Sequence, residues 1–368
     1  MPMKTLLKKL CLAAVCLLAA NTATAYDFEY EGCYFNILSE TDKTCEITYE
    51  KWGIETPTYS GDLVIPELVK DDEDIIYKVT TIGEGAFYNC TSLTSVTIPE
   101  SVTTIDLNAF QYCTSLTSVT IPESVMSIGD GAFYGCTSLN SVTIPESVTT
   151  IGMGAFHMCT SLTSVTIPES VTTIGNTAFS YCTSLTSVTI PESVTTIGND
   201  VFSFCTSLTS VTIPESVTTI GDYAFSYCTS LTSVTIPESV TTIGERVFYH
   251  CESLTSVTIP KSVTTIGMGV FAGCQSLKEI TVDENNNHFV TWNRLLYSKD
   301  ITTLYWCPMF VTLTSVNIPK TTTIIKGYAF YLCKKLYSVT IPESVKEIGR
   351  FAFTDCTSLT SINIPKWL

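Results

Sequence analysis

Apolar residues return along this chain on a fixed beat. Between Leu162 and Cys182, Leu162, Val165 and Ile167 are apolar, with Thr163, Ser164 and Thr166 among them. Val165-Thr166-Ile167 alternates in and out, as a half-buried strand does. Pro168 removes a donor and ends the ladder, and Glu169 and Ser170 complete a turn. Val171 and Ile174 point inward again around Thr172 and Thr173, which predicts a second short extended piece. Gly175 allows a sharp corner. Ala178, Phe179 and Cys182 then sit at i, i+1 and i+4, which predicts about one helical turn.

The same pattern restarts at once. Thirteen residues, CTSLTSVTIPESV, recur almost letter for letter, and Cys90, Cys113, Cys136, Cys159, Cys182, Cys205, Cys228, Cys251 and Cys274 mark a period of 23 (113 − 90 = 23). A unit this short cannot bury its apolar side alone, so neighbours must stack. The expected fold is a right-handed repeat solenoid with a parallel β-ladder, a short second extended segment and one helical turn per 23-residue repeat. Identical residues then form columns along the axis. Phe87, Phe110, Phe133, Phe156, Phe179, Phe202, Phe225, Phe248, Phe271, Phe330 and Phe353 make an aromatic spine, with the Leu-Val-Ile triplets and the cysteines filling the core.

Leu-x-x-Val-x-Ile with a Cys column is the pattern of a leucine-rich repeat. The form SLTSVTIPESVTTIG followed by AF-x-x-C closely resembles the BspA-like (treponemal-type) leucine-rich repeats, from Gly61 to the C-terminus, across eleven Phe-x-x-Cys units. The opening is similar too: a hairpin over Cys33 to Tyr49, then Gly61-Asp62-Leu63-Val64-Ile65-Pro66 as a degenerate first coil. The resemblance implies a bacterial surface protein that binds host matrix proteins, such as fibronectin or fibrinogen, or other cells.

The ends bear on location. Lys4, Lys8 and Lys9 precede an apolar run from Leu10 to Ala20, and Ala23-Thr24-Ala25 offers small residues for cleavage. That predicts a secretory signal peptide and a mature chain from Tyr26 at the cell surface or beyond, with no membrane span after cleavage. Cleavage removes three lysines, so the mature balance is 16 − 35 = −19. So acidic a chain has no electrostatic reason to bind nucleic acid or an anionic lipid face. The expected division is a signal peptide over 1–25, an N-terminal hairpin and cap over 26–60, leucine-rich repeats over 61–278, an irregular insertion over 279–313, and final repeats over 314–368 with an uncapped C-terminus. That last coil also offers a route to self-association.

Two segments break the beat. Asp71-Asp72-Glu73-Asp74 reads as a solvated cap over the first coil, with calcium chelation as the alternative. Phe271 to Phe330 spans 59 residues, 36 beyond one period (59 − 23 = 36). There Leu295-Leu296-Tyr297-Ser298 and Thr303-Leu304-Tyr305-Trp306 read as two strands around Lys299-Asp300. Ile301 follows where the family usually has Gly, and Ile resists the positive φ of a tight turn. Trp52, Trp292, Trp306 and Trp367 all lie outside the regular array, as packing filler or as binding anchors.

Candidate chemistry is sparse. The cysteines read as buried reduced thiols, because stacked side chains point the same way and oppose the bridge torsion. In the opening hairpin, closure over Ser39 to Thr44 pairs Leu38 with Cys45 and puts Cys33 opposite Glu50, against a bridge. No cofactor or metal motif occurs. The exposed column Glu100, Glu123, Glu146, Glu169, Glu192, Glu215 and Glu238 is a solvated turn edge or a cation-collecting rail. The outward threonines Thr97, Thr120, Thr143, Thr166, Thr189, Thr212, Thr235 and Thr258 match β-propensity on a parallel sheet, with ice binding as a remote alternative. His157, His250 and His288 sit in different coils with no paired nucleophile, and repetition argues against a singular active site, so no enzyme is expected.

The residue before each Cys turns outward on a helical turn. Tyr112, Met158, Tyr181, Phe204, Tyr227 and His250 occupy that position, and an outward aromatic row marks an interaction surface or rings packed on one another. With Trp292, Tyr305 and Trp306 these are the candidate binding residues. The function expected is recognition, adhesin-like, through many weak contacts over a long rigid face. The alternative is a structural, self-assembling envelope role.

Overall fold

The computed structural model describes residues 26–50, 59–309 and 313–365. The signal peptide, Trp52 and Trp367 lie outside the described residues. Each repeat contributes one coil of a parallel β-solenoid of about twelve turns.

Two ladders run along the axis. In the first, Ser141–Thr143 pairs with Ser164–Thr166, and that with Ser187–Thr189, like residue against like residue. In the second, Thr150–Ile151 pairs with Thr173–Ile174 in the same 23-residue register. Alternation settles the faces: Val142 and Val165 are buried, while Thr143 and Thr166 stay exposed. In most Pro-Glu-Ser corners the serine fastens the turn. Ser147 Oγ donates to Val125 O at 2.6 Å and Ser170 Oγ to Val148 O at 2.7 Å, so the Pro-Glu-Ser corners from Ser124 to Ser239 tie each coil to the one before.

No helix forms among the described residues. The segment expected to make one helical turn is a run of tight turns. Ala109, Gln111 and Cys113 donate N–H three residues back, to Asp106, Asn108 and Phe110. The residues between them, Asn108, Phe110 and Tyr112, donate instead to Asp130, Ala132 and Tyr134 in the next coil. A helix would keep every bond inside one coil. Here half of them form a third ladder along the axis. The alternation requires left-handed backbone two residues before and after each Phe: Asn108 and Tyr112 have φ of 54° and 61°, and Thr177 and Tyr181 have 58° and 60°.

Gly175 serves packing rather than a corner. Its φ is not left-handed, but a Cβ there would meet Met153 N at 2.4 Å and Gly152 C at 2.6 Å. Most coils carry glycine after Thr-Thr-Ile, which lets successive backbones approach closely there, although Asp106 stands at that position after Ile105.

The core is a stack of like groups. From Phe87 to Phe271 the rings lie nearly parallel, with centroids 4.7 Å apart at Phe87–Phe110 and 5.8 Å at Phe248–Phe271. Tyr59 covers the head of this stack, 5.0 Å from Phe87, and its hydroxyl donates to Thr48 O at 2.6 Å. All fourteen described cysteines are free thiols. They are more than small hydrophobes: Cys136 Sγ reaches Phe110 O at 3.1 Å and Cys159 Sγ reaches Phe133 O at 3.2 Å. From Cys113 to Cys274 each thiol serves the second lone pair of a buried Phe carbonyl one coil back.

The opening strands Phe28–Tyr30, Cys33–Ser39 and Thr44–Thr48 form an antiparallel meander. Thr44–Thr48 then pairs in parallel with Ile76–Ile82, seating the meander on the second ladder. Cys45 faces Ile37 rather than Leu38, because a bulge at Leu38 shifts the register. In the acidic loop, the Asp71 carboxylate accepts N–H bonds from Glu73 and Ile75 at 2.9 and 2.8 Å, so it holds its own turn.

The spine is not continuous through the irregular segment. Cys307 takes the Phe position, since its N–H donates to Ala329 O as Phe248 N–H does to Val270 O. Phe271 to Cys307 is 36 residues and Cys307 to Phe330 is 23, so segment 279–313 is one enlarged coil with 13 residues added (36 − 23 = 13). Those residues make a hairpin of Phe289–Trp292 and Leu295–Ser298, which passes into Thr303–Trp306. The last turn closes despite Ile301, which adopts φ of 58°. Asp300 holds it, accepting from Ser298 Oγ at 2.7 Å, Thr302 Oγ1 at 2.8 Å and Thr302 N at 3.1 Å.

Candidate interaction surface

The left-handed position two residues after each Phe is where the aromatic row sits. A left-handed L-residue costs roughly 1–2 kcal/mol, and glycine avoids that cost. Gly135 and Gly273 take this option, with φ of 71° and 82°. Tyr112, Met158, Tyr181, Phe204, Tyr227 and His250 do not; all six have φ between 56° and 61°. Bulky side chains thus occupy positions where the backbone favours none.

These side chains form one surface. Tyr181, Phe204, Tyr227 and His250 stack face to face, with centroids 4.2, 4.4 and 5.0 Å apart. Beneath them lie the buried serines Ser180, Ser203 and Ser226, and Ser180 Oγ sits 2.7 Å from Ser203 Oγ. A small residue below lets the ring lean along the axis. Where the residue below is large, it joins the surface itself. Tyr134 stacks on His157 at 4.8 Å, and His157 meets Tyr181 edge-on at 5.5 Å. Tyr112 bridges Tyr88 and Tyr134, and its ring lies over Gly135, where a Cβ would come within 2.6 Å of it.

Helical spacing misplaced these partners. It turned only one residue per coil outward, whereas the tight turns bring both residues after Phe to the edge. Tyr88, Tyr134, His157, Tyr249 and Tyr331 therefore belong to the surface, and the Tyr or His directly after Phe was the available signal. His250 carries the row across the enlarged coil, with Nε2 3.3 Å from the Tyr331 hydroxyl and Nδ1 3.5 Å from Glu252. The path from Tyr88 to Tyr331 covers ten coil steps, or about 50 Å at about 4.8 Å each. Burial pushes the His157 pKa down and those of Tyr112 and Tyr249 up, so all three are neutral at pH 7.

Neighbouring rings cover both faces of Phe204 and of Tyr227. What reaches solvent is ring edge and phenol hydroxyl. Such an edge suits apolar contact and hydrogen bonding to a protein surface. Those two rings offer no open face on which a flat base could stack.

The other candidates separate. Trp306 is buried, and its indole N–H donates to Phe271 O at 3.2 Å, so it closes the broken spine and is not available to a partner. Tyr305 is half-buried, edge-on to Phe289 at 5.3 Å. Trp292 is exposed and stands 6.1 Å from Tyr297, well apart in sequence from the aromatic row. The glutamate column is exposed at every rung, with Glu238 3.9 Å from Lys261. The threonine face is exposed along its length. No helix among the described residues is long and apolar enough to cross a membrane.

A family model for the BspA type leucine-rich repeat region, in six copies, matches residues 80–209, 195–309 and 307–368. A solved leucine-rich cell surface protein from Faecalibacterium prausnitzii is 32% identical with a TM-score of 0.57, over 94% of this chain and 78% of that one. A leucine-rich repeat protein from Bacteroides ovatus is 30% identical with a TM-score of 0.64, over 93% of this chain and 89% of that one. No curated protein matches.

Proposed function

We propose, for a chain that belongs to the BspA-type leucine-rich repeat family, that it is an exported, adhesin-like recognition protein whose aromatic edge grips extended protein ligands. The family's fold is a non-catalytic repeat scaffold, and the reading here is a binder rather than an enzyme. One observation carries it: large side chains line a surface about 50 Å long at backbone positions that favour glycine. Many weak contacts along a rigid edge give avidity for long or repetitive partners. Host matrix proteins and the surfaces of other cells fit that description. The solved relative described as a cell surface protein supports the location.

The test is solid-phase binding of residues 26–368 to immobilised fibronectin, fibrinogen and whole bacterial cells. Contacts of ring edges are screened little by salt, unlike those between exposed charges. Saturable binding to at least one target, retained at about 0.5 M salt, is expected. Binding to none of them, or binding lost with salt, contradicts the proposal.

A further inference from the structure

Inside the array the first ladder is interrupted at residues 233–235, where no strand forms, and again beside the enlarged coil. Ser256–Ile259 pairs with Glu279–Val282, and Ser315–Asn317 pairs with Ser338–Thr340. Among the described residues, no pairing joins Glu279–Val282 to Ser315–Asn317. The enlarged coil is the cause. Its hairpin lies beside Glu279–Val282, and Thr291 Oγ1 donates to Ile280 O at 2.8 Å. That seals one side of the break. Among the described residues, the facing edge of Ser315–Asn317 has no strand partner for its backbone groups.

A cavity of about 430 Å³ opens on that edge, lined by Trp292, Arg294, Tyr297, Leu313 and Ser315–Asn317. A residue in a packed sheet fills about 3.3 × 4.8 × 10 Å, or roughly 160 Å³, so the space holds two to three residues of strand. Three kinds of group converge there. The open strand edge needs N–H and C=O complements. Trp292, Leu313 and Val316 supply apolar wall, and the Tyr297 hydroxyl is buried in it with no hydrogen-bond partner among the described residues. Arg294 is exposed, and no described carboxylate pairs with it, in a chain of net charge −16.

We propose that this cleft binds an extended peptide bearing a carboxylate, which adds beside Ser315–Asn317 as the missing rung of the ladder. The other edge of that strand defines the mode, since Ser315, Val316 and Asn317 face Ser338, Val339 and Thr340 in parallel. A peptide in the same register places a β-branched side chain beside Val316 and its hydroxyl residues outward. Main-chain bonds supply affinity and the alternate side chains supply selectivity. The Arg294 guanidinium selects the acidic group.

Fluorescence anisotropy with a labelled Ser-Val-Thr-Ile-Glu peptide tests this. Saturation below about 1 mM is expected, with at least a tenfold loss when the peptide backbone is N-methylated. Arg294→Gln lies on an exposed turn; it weakens the Glu peptide about tenfold and leaves a Ser-Val-Thr-Ile-Gln amide unchanged. No saturation, equal binding of the N-methylated peptide, or an Arg294→Gln variant with full affinity each overturns the proposal. No residue of the aromatic edge lines the cleft, so either reading can fail without the other.

Discussion

Titrated to about pH 10 at constant ionic strength, the folded chain is expected to unfold cooperatively. Burial pushes the Cys205 thiol up to about 12, and Cys113, Cys159, Cys182, Cys228, Cys251 and Cys274 also lie well above their ordinary value. A thiolate in the cysteine column would lose its hydrogen bond to the Phe carbonyl and stand uncompensated in the core. The unfolded chain ionises near the ordinary thiol value of 9.0. Below that pH both states hold their protons, and the stabilisation is whole. Above it the unfolded chain releases protons that the folded chain retains, so stability falls as pH rises. One pH unit above the ordinary value each thiol that stays protonated lowers stability by roughly 1 kcal/mol, and several together reach the order of 5–10 kcal/mol. That matches the whole stability of a typical domain, about 5–15 kcal/mol. Near-UV circular dichroism and thiolate absorbance should change together. Thiolate appearing at about pH 9 with the fold intact contradicts the buried column.

Phe202→Ala is expected to cost about 3–5 kcal/mol. The ring is fully buried, with Phe179 and Phe225 each 5.6 Å away. The coils cannot collapse into the gap, because the three backbone ladders fix their spacing. A solenoid is held by neighbour interfaces, and this residue contributes to two of them. Urea unfolding should therefore lose free energy, or split into two transitions at that coil. Phe202→Leu keeps most of the volume and should cost about 1.5 kcal/mol or less. A loss below about 1 kcal/mol for Phe202→Ala contradicts a shared close-packed interior.

Much of this architecture was legible in the sequence because every level repeats it. The 23-residue beat, the alternation of Val165-Thr166-Ile167 and the stop at Pro168 all point to one coil. Like-on-like pairing of Val142 with Val165 follows directly from the period. The rest depended on three-dimensional neighbours. Ala178, Phe179 and Cys182 have helical spacing, yet bonds between coils draw the backbone into left-handed turns. The role of Gly175 is set by a backbone one coil away, and that of the Cys182 thiol by a carbonyl 26 residues back. Trp306 looked like an anchor because it left the pattern; it left the pattern to cover the ring of Phe271, 6.3 Å away.

The candidate surface was half legible. Six of its members stood out by position before cysteine. Tyr134 and His157 were missed because a helical turn would have placed them elsewhere. Their contact with Tyr112 and Tyr181 joins isolated aromatics into one edge.

Combining Tyr181→Gly, Phe204→Gly and Tyr227→Gly tests most directly whether that edge exists for binding. Each change removes a stacking contact of about 0.5–1.5 kcal/mol and relieves about 1–2 kcal/mol of left-handed strain. Unfolding free energy within about 2 kcal/mol of the parent, with at least tenfold weaker affinity for whichever of the panel targets the parent binds, is the predicted outcome. Full affinity in the folded variant, or loss of the fold itself, contradicts it.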